Sequence, residues 1–169
     1  MACYSSVQPS NLFAMANKGD VIDDFELPDQ DGVPRSLSEY LAGGPVVLFF
    51  YPAAMSSGCT AEACTFRDLA AEFREAGAQR VGISRDQPDK QKKWAELSSF
   101  DYPLLSDPDS TVAAKLGVKR RLPLGPLSTR RITLVIDTDR TVLDVIHSET
   151  NMQEHAARAL EVLSARKQA

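Results

Sequence analysis

Cysteine, histidine and tryptophan are scarce in this chain of 169 residues, which holds three, two and one of them. Three cysteines cannot form the disulfide framework that props up small secreted domains. Cys59 and Cys64 lie close together, Cys3 stands alone near the start, and His147 and His155 are far along the chain from all three. A four-ligand structural zinc site needs more Cys or His at ligand spacing, so no metal is expected. Basic excess is missing too: 19 Lys and Arg against 23 Asp and Glu leave a formal charge of -4. A non-specific binder of nucleic acid or of an anionic membrane wants the opposite sign, so neither partner is expected. Long apolar runs are also absent, since PVVLFFYPAAM at residues 45–55 is about half of what spans a bilayer. The first residues carry neither the positive start nor the apolar run of a signal peptide. Cytoplasmic residence is therefore expected, where free thiols stay reduced.

The bulk composition, 43% hydrophobic and 25% charged, is that of a globular protein and excludes disorder and collagen-like architecture. A chain of this size buries roughly 70% of its unfolded surface as one domain. Residues 1–16, rich in Ser, Asn, Pro and Gln without periodicity, read as a flexible arm ahead of a domain at 17–169. Within the domain, DFELPDQDG turns at Asp31-Gly32 as a short hairpin. Ser36 and Ser38 can cap a brief helix around SEYLA that stops at Gly43-Gly44. VVLFFY at 46–51 is a strand buried on both faces. The stripe Phe66, Leu69, Ala70 and Phe73 predicts one helix from Gly58 to Ala76, stopped by Gly77.

Further on, RVGIS (80–84) reads as a strand, 88–98 as a helix opened by Pro88 and packed through Trp94 and Leu97, and YPLL (102–105) as a strand. Asp107 caps a helix ending at Gly117, and 119–130 reads as a Pro, Gly and Arg-rich loop. Strands at 131–137 and 141–147 follow, joined through Thr138-Asp139-Arg140. A last helix at 152–166 has Asn151 and Glu154 spaced as a capping box. This order predicts an α/β fold, a sheet covered on both faces.

The chemistry concentrates in YPAAMSSGCTAEACTFRD, residues 51–68. A buried strand ends at Pro52, and Cys59 arrives at the start of a helix. Free backbone N–H groups and the positive end of the helix dipole stabilise an anion there, and the thiolate is the reactive form of cysteine. Ser56 can point its hydroxyl at the same spot. Cys64 lies five residues on, which on an ideal helix puts the two Cα atoms roughly 8–9 Å apart. A disulfide tolerates about 7 Å. If the two sulfurs bond, the first turn or two of the helix must unwind, and the pair becomes a redox-driven conformational switch.

This stretch resembles the active-site segment of the peroxiredoxins, specifically the bacterioferritin-comigratory or Q-type subfamily. Its members show proline, three residues, threonine or serine, two residues, and then the peroxidatic cysteine: here Pro52, Ser56 and Cys59. FELPDQDG, DYPLLSD at 101–107, Gly117-Val118 and RITLVID agree in order and spacing, so the likeness covers roughly residues 18–165. The resemblance implies a thioredoxin-like fold with a central mixed sheet. It implies a thiol peroxidase for hydrogen peroxide and organic hydroperoxides, acting as a monomer or weak dimer without metal, flavin or haem. Cys59 would become a sulfenic acid, Cys64 would resolve it to an intramolecular disulfide, and a thioredoxin-like dithiol would reduce that disulfide. Arg131 would stabilise the thiolate and position the peroxide, Ser56 would hydrogen-bond it, and Pro52 would wall the pocket. Two positions depart from the pattern: Ser56 where threonine is commoner, and Ser57 where proline is usual.

Three other readings compete. A thioredoxin-like disulfide reductase needs two cysteines two residues apart at a helix start, and this pair is wider. A non-catalytic redox-sensing thiol protein on the same fold is the alternative from outside the enzymes. Anion binding through the 119–131 loop is disfavoured by the net charge. Arg130, Lys119, Arg120 and Arg121 compete with Arg131, but only Arg131 heads the alternating strand. Glu62 suits a helix N-terminus and can also reach the arginine. His147 and His155 read as ordinary residues, and Cys3 as a bystander.

Overall fold

The computed structural model describes residues 14–124 and 127–169. Its centre is set by the run Val46–Phe50 (β3), where every side chain is buried. In a strand, alternate residues face opposite sides of the sheet. Val46, Leu48 and Phe50 enter one core, while Val47 and Phe49 enter another. A strand apolar on both faces needs cover on both, and the other elements supply it.

In chain order, β1 (Glu26–Pro28) and β2 (Pro34–Ser36) pair as the hairpin expected around Asp31-Gly32. The helix α1 (Leu37–Leu41) starts from a complete capping box of Ser36 and Glu39. After β3 come α2 (Ser57–Asp68), α3 (Ala70–Glu75), β4 (Gln79–Ser84), α4 (Pro88–Ser98), β5 (Leu104–Ser106) and α5 (Thr111–Lys115). They are followed by β6 (Lys119–Leu124), β7 (Leu127–Thr129), β8 (Ile132–Ile136), β9 (Val142–His147) and α6 (Met152–Gln168). The main sheet has five strands in the order β5-β4-β3-β8-β9. β3, β4 and β5 run parallel, and β8 and β9 are antiparallel to their neighbours. Phe66 and Phe73 from α2 and α3, Trp94 from α4, and Ala156, Ala159 and Leu163 from α6 cover the Val47–Phe49 face. Leu37 and Leu41 of α1 with Val112 and Ala113 of α5 cover the other.

Five local expectations are corrected, the first being that α4 packs through Trp94 and Ala95 while Leu97 is exposed. The helix expected over 58–76 is two helices that meet at Leu69 (φ -94°, ψ 24°). Arg80, held against Asp101, donates to the Phe66 carbonyl at 2.6 Å where the helix breaks. Within the segment expected as a loop at 119–130, β6 (Lys119–Leu124) pairs antiparallel with β7 (Leu127–Thr129). The fifth strand begins at Leu104, after Pro103, and not at Tyr102. Asp107 does cap α5, accepting from the N–H groups of Thr111 and Ala113, but the helix begins three residues later than Pro108 would place it. Of the segment expected as an arm, residues 14–16 are described. Ala16 is buried and its N–H donates to Leu116, so packed structure extends at least that far; Cys3 lies outside the described residues. No helix among the described residues is long and apolar enough to cross a membrane.

Candidate active site

Ser56 starts α2. Its backbone is extended, its Oγ accepts the Cys59 N–H at 3.4 Å, and its hydroxyl donates to the Ala53 carbonyl at 3.0 Å. Cys59 is the third residue of the helix, inside the turn where unpaired N–H groups favour negative charge. Its side chain is 1% exposed and its thiol is free.

The partner of that sulfur follows from strand parity. On β8, Val135 enters the core shared with α2 and α6, and Thr133 touches His155 of α6. Counting back by two puts Arg131 on the same face. The Arg131 Nη2 lies 3.4 Å from Cys59 Sγ, and Nη1 donates to Glu62 Oε2 at 2.5 Å. Glu62 is three residues after Cys59, hence on the same side of the helix, and fully buried. One planar fork thus spans a sulfur and a carboxylate, a geometry no lysine can copy. Burial pushes the Glu62 carboxyl up to about 7, with Arg131 offsetting only part of it. Burial also works against the Arg131 charge, but Glu62 and Cys59 outweigh it and hold the guanidinium above its ordinary value. The carboxyl, stripped of water on both oxygens, is the weaker holder of its charge.

Behind Glu62 stands His155, fully buried on α6. Its Nδ1 lies 2.9 Å from Thr133 Oγ1 and 3.6 Å from Glu62 Oε1, and its Nε2 lies 2.8 Å from the Ser148 carbonyl. Burial holds this imidazole below its ordinary value, and the Ser148 contact opposes that. His155 is therefore part of the site's wall, a correction to its reading as an ordinary residue. Glu149 fixes the backbone entry to β8, accepting from Arg120 Nη2 at 2.8 Å and from the Arg131 N–H at 3.4 Å.

The loop between β3 and α2 is anchored as well. Its Ala54 N–H donates to Asp86 Oδ2 at 2.7 Å. Asp86 also accepts from Ser84, Ser84 accepts from Gln91, and Gln91 accepts from the buried Tyr51 hydroxyl. Pro52 is half-buried at the start of this loop, and Met55 holds a φ of +67° just before Ser56, a left-handed conformation that is uncommon outside glycine.

Cys59, Ser56 and Arg131 are thus brought together, with Pro52 at the head of the same loop. Cys64 is not brought to them. It is partly exposed with a free thiol, beside Arg67 and Tyr102, on the same unbroken helix. Among the described residues no group of three His, Cys, Asp or Glu is placed to hold a metal.

Residues 18–145 match the AhpC/TSA family. The chain belongs to that family. The crystal structure of peroxidoxin BcpB from Mycobacterium tuberculosis superposes with a TM-score of 0.84 at 62% identity, covering 90% of this chain and 98% of that one. The chloroplastic peroxiredoxin Q of Gentiana triflora is 39% identical over 153 residues, 90% of this chain and 69% of that protein. The bacterioferritin comigratory protein of Xanthomonas campestris, whose trapped intermediate and ligand complexes bear on alkyl peroxide reduction, superposes at 0.77 with 27% identity over 84% of this chain and 91% of that one. This chain is a peroxiredoxin of the bacterioferritin-comigratory, Q type, with the thioredoxin-like fold of those neighbours, and hence a thiol peroxidase.

Sequence reasoning undervalued two contributors. Glu62 was visible through its three-residue spacing from Cys59. His155 carried a fainter signal: it falls on the buried stripe of α6 with Ala159 and Leu163, where an imidazole needs partners. Nothing local pointed to Asp86.

Proposed function

We propose that this peroxiredoxin reduces hydrogen peroxide and organic hydroperoxides at Cys59 and closes its cycle through Cys64. The observation that carries the reading is the Arg131 fork, with one arm on the Cys59 sulfur and the other on Glu62, at the N-terminus of α2. The cation and the helix N-terminus favour the thiolate, which attacks the proximal peroxide oxygen. The O–O bond breaks, the distal oxygen leaves as alcohol or water after taking a proton, and Cys59 becomes a sulfenic acid. The same guanidinium and the Ser56 hydroxyl are placed to hold the polarised peroxide oxygens, and Pro52 walls the loop beside them.

The Cys64 thiol then condenses with the sulfenic acid, releasing water and forming a disulfide. Both cysteines sit on an intact helix, with Cα atoms about 8–9 Å apart for this spacing, so the first turns of α2 must open. Opening them breaks the Cys59 N–H to Ser56 Oγ and Thr60 N–H to Ser56 carbonyl bonds, the Arg131 contact, and the helix's own backbone bonds over those turns. A dithiol of the thioredoxin type reduces the disulfide and returns the helix. The peroxide range rests on the alkyl peroxide reduction named for the Xanthomonas campestris relative.

Intact-mass and peptide mapping after one equivalent of hydrogen peroxide tests this. The wild type should lose two hydrogens, mapped to Cys59-Cys64, and the Cys64→Ser variant should carry a trappable sulfenate on Cys59. Two untouched thiols would leave a non-catalytic thiol protein on a peroxiredoxin fold.

A further inference from the structure

The hydrogen-bonding options around His155 leave one proton position between it and Glu62 unfilled. The Ser148 carbonyl can only accept, so the Nε2 that faces it at 2.8 Å carries a hydrogen. A neutral ring then has a bare Nδ1, and the Thr133 hydroxyl at 2.9 Å donates to it. Glu62 uses Oε2 for Arg131, while its Oε1 is buried without a hydrogen-bond donor and faces Nδ1 at 3.6 Å. Two lone-pair atoms thus oppose each other in a site shut off from water. A single added proton turns that opposition into a hydrogen bond once the Thr133 hydroxyl rotates its hydrogen away from the one Nδ1 lone pair, whether as a Glu62 acid donating to Nδ1 or as an imidazolium donating to Oε1.

Charge accounting says when the proton belongs there. With Cys59 as a thiol, Arg131 positive, Glu62 negative and His155 neutral, the buried cluster carries no net charge. Ionising the sulfur leaves an excess negative charge in a place where uncompensated charge is costly. Other charged groups face outward or are already spoken for. Glu149 is engaged by Arg120, the Arg131 N–H and His147, and Glu154 is exposed on the first turn of α6.

We propose that Glu62 and His155 jointly take up one proton as Cys59 loses its own, so that the Arg131 charge is left to the sulfur. One proton leaves Sγ, one arrives between Oε1 and Nδ1, and the net charge of the cluster does not change. His155 acts through Glu62 and Arg131 and touches neither peroxide nor sulfur, so it is a positioning residue. The inference rests on the reading that Cys59 reacts as a thiolate. Burial raises Glu62 and lowers His155, each towards its neutral form.

Linkage makes the coupling measurable from either end. Long-range proton–nitrogen spectra of the imidazoles in the full-length, reduced, 15N-labelled protein, recorded from pH 5 to 9, report on His155 directly. The expected result is the Nε2–H tautomer at high pH, with an Nδ1 resonance whose titration midpoint falls by about one pH unit in Cys59→Ser, where the sulfur charge is gone. A merely structural histidine would show the same midpoint in both proteins. A second readout follows the rate of Cys59 alkylation against pH: the inflection belonging to the pair should move in His155→Gln, where Glu62 takes up the proton without an imidazole facing it. Nδ1–H at high pH, an unmoved midpoint in Cys59→Ser, or an unchanged alkylation profile in folded His155→Gln would each overturn the proposal. Should that variant fail to fold, the imidazole spectra of the wild type and Cys59→Ser decide. None of these readouts uses peroxide, so failure of the peroxidase reading would show separately, in the mass mapping.

Discussion

Replacing Arg131 by lysine keeps the charge and removes the fork, which makes it the sharpest test of the site. The guanidinium makes two directed contacts at once, to Cys59 Sγ at 3.4 Å and to Glu62 Oε2 at 2.5 Å. An ammonium is a single point on a flexible stem and can serve only one of them in this geometry. A hydrogen bond to a charged group is worth about 1.5–3 kcal/mol. If that is lost from the transition state, sulfenate formation slows roughly 10- to 150-fold. The assay is quenched-flow trapping of the Cys59 sulfenate in a Cys64→Ser background, which isolates the first chemical step. Stability should change little, because Glu62 keeps a cation beside it. Arg131→Met behaves differently: the Glu62 carboxylate is left buried without a partner, a defect of about 3–5 kcal/mol. That cost should grow with pH, since a carboxyl already raised to about 7 beside Arg131 escapes the penalty by staying protonated in acid. A lysine variant within about threefold of the wild-type rate would refute the argument that the fork matters.

The remaining predictions concern the carboxyl, the loop anchor and the turn that leads into β3. Glu62 has its folded value raised from 4.5 to about 7 by burial, so it contributes stability in acid that is lost as pH rises through that window, about 3 kcal/mol in all. His155, held low by burial, pulls the other way by penalising acid. The difference between urea unfolding curves of wild type and Glu62→Gln at pH 5 and pH 8 isolates the carboxyl: the wild type should lose ground to the variant as pH rises, and a flat difference would contradict the assignment. Asp86→Ala removes the acceptor of the Ala54 N–H and should cost about 1–3 kcal/mol in unfolding experiments while slowing peroxide reduction, with Asp86→Asn recovering most of both. Equal peroxide rates in Asp86→Ala and wild type would show that the loop needs no anchor. At Gly44 (φ +131°) an added Cβ would lie 2.1 Å from the Gly77 carbonyl oxygen, so Gly44→Ala should cost more than about 3 kcal/mol of stability, read by thermal melting.

How much of this was legible depends on how far the information travels along the chain. Ser56, Cys59, Glu62 and Cys64 lie within one helix and its cap, and their spacing alone tells which groups share a face. Arg131 is remote, yet its placement was also readable, because the alternation of Ile132–Ile136 fixes the side from which the residue before the strand must approach. The failures have a common cause in contacts that local patterns do not encode. The break at Leu69 coincides with a bond from Arg80 to the Phe66 carbonyl, and no periodicity in 58–76 announces it. The β6–β7 hairpin is rich in arginine, proline and leucine without a two-residue alternation, so its pairing is carried by backbone bonds that side-chain pattern does not report. His155 is the most instructive case. Its stripe position on α6 said only that an imidazole would be buried; that the burial brings it to Glu62, three residues from the reactive sulfur, depends on how α6 packs against α2 and β8. A site of this kind is half written in a local motif and half in packing, and the packed half supplies the groups that answer for the charge.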